Sequence, residues 1–249
     1  MKLRGKKIFA TVAVAAASIF WITSTKAQEF TVQGDLVSSY IWRGVYQTGA
    51  SFQPTLGFGI GDFSLTAWGS TDFDGNKSTE GLASKEIDLT AAYTFGESGL
   101  TLSVASLWWA GQGAGKYFNF ESHKTAHYFE GGLAYALPCE RLPLSIAWYT
   151  MFAGADKNAE GGQNYSSYVE LNCPFSVKSV DLNATLGFVP YETYTVGYGN
   201  SGFAVTNVAL KATTAIKITD SFSLPIFAQA IWNPCLEDTH LVFGITLRP

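Results

Sequence analysis

From Ser51 onward the chain alternates apolar and polar residues with a period of two. In "SFQPTLGFGI" one face reads Phe52, Pro54, Leu56, Phe58 and Ile60, and the other Ser51, Gln53, Thr55, Gly57 and Gly59. Successive side chains of a strand point to opposite faces, whereas a helix repeats its apolar positions about every 3.6 residues, so the pattern predicts strand. Gly61-Asp62 then separates this run from a second one, which is the turn chemistry of a tight hairpin. Ile87, Leu89, Ala91, Tyr93 and Phe95 stand against Glu86, Asp88, Thr90 and Thr94; Val180, Leu182, Ala184, Leu186 and Phe188 stand against Asp181, Asn183, Thr185 and Gly187. Near the end Leu241, Phe243, Ile245 and Leu247 oppose His240, Gly244 and Thr246, with Val242 an apolar exception on the polar face.

Runs of this kind predict about twelve strands, at 29–43, 50–60, 63–73, 84–96, 99–110, 124–137, 143–153, 164–175, 179–190, 202–218, 222–233 and 238–248. Their lengths match the roughly 9–11 residues of a tilted strand crossing a bilayer, and exceed the roughly 5–6 of an ordinary globular strand. The connections alternate as well. Gly61-Asp62, 96–99, 138–143, 176–179 and 219–221 are short, while 74–83, 111–123, 154–163 and 191–201 are longer and rich in Gly, Asn and Lys. Short turns at one end and long loops at the other, with an even strand count, are the plan of an up-and-down outer-membrane barrel. No linker or break in composition divides 28–249, so one domain is expected.

A soluble barrel or sandwich can show the same alternation with its apolar face inward. Two features favour the membrane. The apolar face carries aromatics at strand ends: Tyr40, Trp42, Phe52, Phe73, Trp108, Trp148, Phe152, Phe188, Phe203 and Trp232 at the long-loop end. Phe30, Phe58, Phe63, Tyr93, Phe95, Tyr135, Phe175 and Phe222 stand at the other. Two belts around an aliphatic band suit two membrane interfaces. The second feature is that the polar face holds charges of both signs. A charge facing lipid near mid-bilayer costs roughly 2–4 kcal/mol, so these residues face a wet or paired interior.

Composition sharpens this in three respects. "MKLRGKKIFATVAVAAASIFWITSTKA" has the basic start, apolar run and small-residue end of a cleaved signal peptide over 1–27, which implies export; an uncleaved anchor is the alternative. Charged residues make up only 14% and aromatics 15%, beside 25 glycines, and a net charge of -4 gives no footing for nucleic acid. Three cysteines in an exported chain allow one disulfide, and Cys139 with Cys173, near the same end, is the expected pair.

By parity the polar face presents Asp35, Arg43, Glu86, Asp88, Glu130, Glu170, Asp181, Lys211, Lys217 and Arg248. Such residues either neutralise one another inside a plugged barrel or line an aqueous path and bias the ions passing through. Twelve strands enclose more space than the eight that side chains fill, which favours a path for small solutes or ions. Trp68, Trp109, Tyr149 and Tyr168 also face inward, either as a stacking track or as filling. Catalysis finds little support. His127 and His240 lie near the long-loop rim, with Ser106 on a strand beside His127, yet parity turns His127 to lipid and His240 to the lumen, and Gly-x-Ser-x-Gly is absent. Neither metal-ligand spacing nor a phosphate loop occurs, and no cofactor is expected.

The first strand ends in Tyr40-Ile-Trp42-Arg43-Gly44 with Gln47 beyond, followed by the hairpin "FQPTLGFGIGDFSLTAWGSTDF". Over about 29–73 this resembles the TorF family of porins, and beyond it the likeness is architectural. The resemblance implies an exported outer-membrane β-barrel assigned as a porin; the reading as a whole expects a Gram-negative protein that meets lipid, the barrel-assembly machinery and small solutes or ions, and not an enzyme. A closed barrel with a surface-binding or structural role is the alternative, and a lipid hydrolase the third. Many such barrels end on an aromatic residue; this chain ends Leu247-Arg248-Pro249, with Phe243 the nearest. On this reading Tyr40 and Trp42 join the outer lipid belt. Arg43 then points into the mouth of the lumen toward a carboxylate such as Glu86, and Gly44 opens the first external loop.

Overall fold

The computed structural model describes residues 28–73, 85–110, 116–139, 143–193 and 198–249, so the leader expected at 1–27 lies outside the described residues. The strands are β1 (Gln28–Val37), β2 (Tyr40–Trp42), β3 (Val45–Thr48), β4 (Ser51–Ile60), β5 (Phe63–Asp72), β6 (Lys85–Thr94), β7 (Leu100–Ala110), β8 (Tyr128–Ala136), β9 (Ser145–Gly154), β10 (Ser167–Val177), β11 (Val180–Val189), β12 (Ala204–Lys217), β13 (Ser223–Asn233) and β14 (Asp238–Leu247). All but β2 and β3 form one closed antiparallel barrel of twelve strands. Each strand pairs with its neighbour in the chain, and β1 closes the ring between β4 and β14. Closure leaves no open sheet, so nearly every backbone amide of the wall has a partner.

The alternation translates directly into inside and outside. Leu56, Leu65, Leu89, Leu102, Val104, Leu133, Leu210 and Leu241 are exposed on the outer wall, while Ser51, Thr55, Glu86, Asp88, Thr101, Glu130, Glu170 and Asn172 are buried within. The outer wall keeps its aromatics at both ends, among them Trp148, Phe152, Phe203 and Trp232 at one and Phe30, Tyr93, Phe95 and Phe222 at the other. Inside, glycines make room for the larger rings. A Cβ on Gly187 would sit 2.0 Å from the Tyr168 hydroxyl oxygen, and one on Gly132 would sit 3.0 Å from the Tyr149 ring.

The first predicted strand is where the structure departs from the periodicity. It does not run to 43. β1 stops at Val37, and Ser38 finishes the ladder by donating its amide to the Phe243 carbonyl and accepting the Phe243 amide on its own hydroxyl, at 2.9 Å. The chain then turns inward, and β2 and β3 form a separate hairpin within the lumen. Its turn is Arg43-Gly44, between the paired Trp42 and Val45, with both residues at positive φ (50 and 85). That is the requirement of a type I′ turn, whose twist matches paired strands.

Tyr40 and Trp42 are therefore not lipid-facing. They are 7% and 3% exposed and pack on Ala105, Leu107 and Met151, with Trp68 and Trp109 against them. Ile41 packs against a second inward apolar group, Val37, Ala209, Ile231 and Val242, and Val45 against Tyr149, Tyr168, Val189 and Tyr198. The hairpin thus meets three sides of the wall. Burying a large apolar side chain stabilises by roughly 1.5–3 kcal/mol, which several such residues repeat here. The expected Cys139–Cys173 disulfide is also absent: the cysteines are free, with Cys139 exposed in the turn after β8 and Cys173 in the wall of β10.

Candidate functional site: the lumen and its inward hairpin

The site is built around the tip of the hairpin. Arg43 is 9% exposed and forms a two-pronged ion pair with Glu130 of β8, Nη1 to Oε2 at 2.7 Å and Nη2 to Oε1 at 2.9 Å. Its guanidinium carbon lies 4.6 Å from the ring centroid of Trp42, 4.9 Å from that of Tyr149 and 4.6 Å from that of Tyr168. Aromatic faces attract a cation electrostatically, the more so where water is excluded. The turn carbonyls are held as well. The Tyr198 hydroxyl donates to the Arg43 carbonyl at 2.7 Å, and Asn233 Nδ2 donates to that of Gly44 at 3.1 Å. The partner of Arg43 is Glu130 and not Glu86, and Gly44 is the turn of an inward plug rather than the start of an external loop.

Beyond the hairpin, a polar ladder crosses β10, β11 and β12. Glu170 accepts from the Tyr168 hydroxyl at 2.8 Å and from Asn172 Nδ2 at 2.6 Å, and Asn207 Nδ2 donates to the Tyr168 oxygen at 3.0 Å. Asn183 Nδ2 and the Thr185 hydroxyl both donate to Asn172 Oδ1, at 2.9 and 2.7 Å. On β1, Asp35 accepts from the Thr246 hydroxyl at 2.6 Å and from Gln33 Nε2 at 3.1 Å. Lys211 Nζ lies 4.0 Å from the Phe227 ring centroid. Glu86 and Asp88 are 3% and 2% exposed, and Glu86 Oε2 and Asp88 Oδ1 have no hydrogen-bond partner among the described residues.

Of the ten residues predicted to line a pore, Asp35, Arg43, Glu86, Asp88, Glu130, Glu170 and Lys211 stand inside the barrel. Asp181, Lys217 and Arg248 are exposed at the short-turn end, where Asp181 accepts from Ser176 at 2.7 Å and Lys217 pairs with Asp220 at 2.6 Å. The four inward aromatics serve as filling: Trp68 against Tyr40, Trp109 against Trp42, and Tyr149 and Tyr168 about Arg43.

A cavity of about 190 Å³ remains beneath the hairpin, bounded by Tyr40, Ile41 and Trp42 and by Asp35, Glu170, Lys211, Gln53 and Gln229 of the wall. That is smaller than the roughly 300–1,000 Å³ of a pocket that encloses a drug-sized ligand. The arrangement can hold water and small polar or charged solutes, and the hairpin narrows the way out.

What sequence reasoning missed was the hairpin and its seat. Val37, Leu107, Met151, Ile231 and Val242 are apolar residues on the polar face, and together they form the cup that receives Ile41, Tyr40 and Trp42. Val242 carried that signal in the sequence. Compared with models of known protein families and with curated proteins, the chain matches none.

Proposed function

We propose that this chain is an outer-membrane β-barrel that passes small solutes or ions through a lumen narrowed by its own inward hairpin. The observation that carries the reading is a polar, ionisable inner wall around the β2–β3 plug, inside a barrel whose outer wall is apolar. Supporting it are the signal-peptide pattern of 1–27, the aromatic belts, and the resemblance of 29–73 to the TorF porins. Among the predicted pore residues found inside, Asp35, Glu86, Asp88, Glu130 and Glu170 outnumber Arg43 and Lys211, on which the path would favour cations.

The pinning of the hairpin favours a second reading, a closed barrel with a structural or surface-binding role. Planar-bilayer recording of the refolded chain separates the two. The channel reading expects small conductance steps in the wild type and steps several-fold larger when 40–48 is replaced by a Gly-Ser linker. Wild-type steps as large as those of the variant sink the constriction. Silence from both sinks the channel and leaves the closed barrel.

A further inference from the structure

A serine and a histidine meet on the outer wall, away from the lumen, with a tryptophan two residues further along the same strand face. Ser106 lies on the outward side of β7 between Val104 and Trp108 and is half-buried, not sealed. Its hydroxyl is 2.8 Å from Nδ1 of His127, the residue just before β8. The other ring nitrogen, Nε2, bonds to the Tyr117 carbonyl. A carbonyl only accepts, so Nε2 carries the proton and Nδ1 offers its lone pair to the serine. This is the tautomer that a general base for an attacking hydroxyl needs.

The surroundings fix the ring. His127 is 0% exposed, stacked on Phe120 at 4.5 Å, with Tyr117 at 5.0 Å, Phe129 at 6.0 Å and Trp108 at 6.5 Å between centroids. Trp108 supplies the third element. Its indole N–H is buried and has no acceptor among the described residues, although Trp108 is two residues beyond Ser106 on the same face of the strand. Buried donors are nearly always satisfied, so this one has capacity left for an oxygen that gains negative charge.

We infer that Ser106, His127 and Trp108 form an ester-hydrolysing site that takes the carboxylic ester of a membrane lipid. The choice of a lipid rests on the membrane reading above: the site sits near the long-loop end of the apolar wall, where headgroups and ester bonds would lie. Ser106 Oγ attacks the acyl carbon and its proton passes to His127 Nδ1, while the former carbonyl oxygen takes the Trp108 N–H. The ester C–O bond then breaks, and the leaving alcohol oxygen takes the proton from His127. A water, deprotonated by His127, next attacks the acyl-serine. Free fatty acid departs, Ser106 recovers its proton, and the net change is lipid ester plus water to lysolipid plus fatty acid.

The test uses the full refolded chain in detergent, a fluorophosphonate probe, and fatty-acid release from mixed micelles of phosphatidylethanolamine. The expected result is one label per chain on the Ser106 peptide, with release of fatty acid. Ser106→Ala loses both while keeping the heat-modifiable mobility of a folded barrel. Trp108→Phe lowers kcat about a hundredfold with KM little changed. A folded wild type that neither labels nor hydrolyses overturns the site, as does labelling that survives Ser106→Ala. Labelling without hydrolysis overturns the lipid-ester assignment. These outcomes leave the channel reading untouched, whereas failure to insert into vesicles sinks the membrane reading and this substrate with it.

Discussion

Arg43 shows how one residue can be legible as a question and illegible as an answer. Its charge in an aromatic, β-prone stretch marks it from the sequence, but its partner Glu130 is 87 residues away and reaches it only through the barrel. A buried charge left alone is costly, because neither water nor a partner replaces its hydration. Arg43→Ala or Glu130→Gln is expected to destabilise the protein by about 3–5 kcal/mol, while Arg43→Met with Glu130→Leu recovers most of that loss. Urea unfolding in vesicles, followed by tryptophan fluorescence, measures it. A double variant as unstable as the singles would mean that geometry and not charge holds the tip.

At the scale of elements, the β2–β3 hairpin is a unit that the wall does not require, since the barrel ladder runs from β1 to β4 without it. Its seating depends on Gly44. A Cβ there would lie 2.0 Å from the Thr206 carbonyl oxygen, at a φ of +85 that side chains rarely adopt. Gly44→Ala is therefore expected to unseat the hairpin and raise conductance several-fold while the barrel keeps its heat-modifiable mobility. Gly61 is the control. It also has positive φ (+60), but nothing lies within 4 Å, so Gly61→Ala carries only the backbone cost of about 1–2 kcal/mol and leaves conductance unchanged. Equal conductance in the two variants would rule out the hairpin as the constriction.

For the whole molecule, the barrel separates two electrostatic settings that net charge conflates. The chain carries -4 overall, but that figure mixes the lumen with the loops and with residues 1–27. Of the lumenal residues named above, five are carboxylic acids and two are cations, and Arg43 and Glu130 pair with each other. The reversal potential in a potassium chloride gradient is expected to report cation preference, and Asp35→Asn, on the cavity wall, to reduce it. Anion preference in the wild type would contradict the charge count.

The sequence by itself determined the wall, its strands, its inner and outer faces and which end carries the short turns. These are local properties, because a period of two fixes the side of each residue and Gly-Asp or Lys-Ser turns fix where a strand reverses. It also marked most of the lumenal charges, from Asp35 to Lys211, by parity alone. Only the tertiary structure decided the fate of Tyr40–Thr48. The alternation of Tyr40 and Trp42 continues that of β1, and nothing local tells an outward belt from an inward plug. The choice was made by Val37, Leu107, Met151, Ile231 and Val242, which come from distant strands and offer apolar cover inside. The Ser106–His127 contact belongs to the same class. Parity turned His127 outward and put Ser106 on a neighbouring strand, but only the folded wall brought hydroxyl and imidazole within a hydrogen bond.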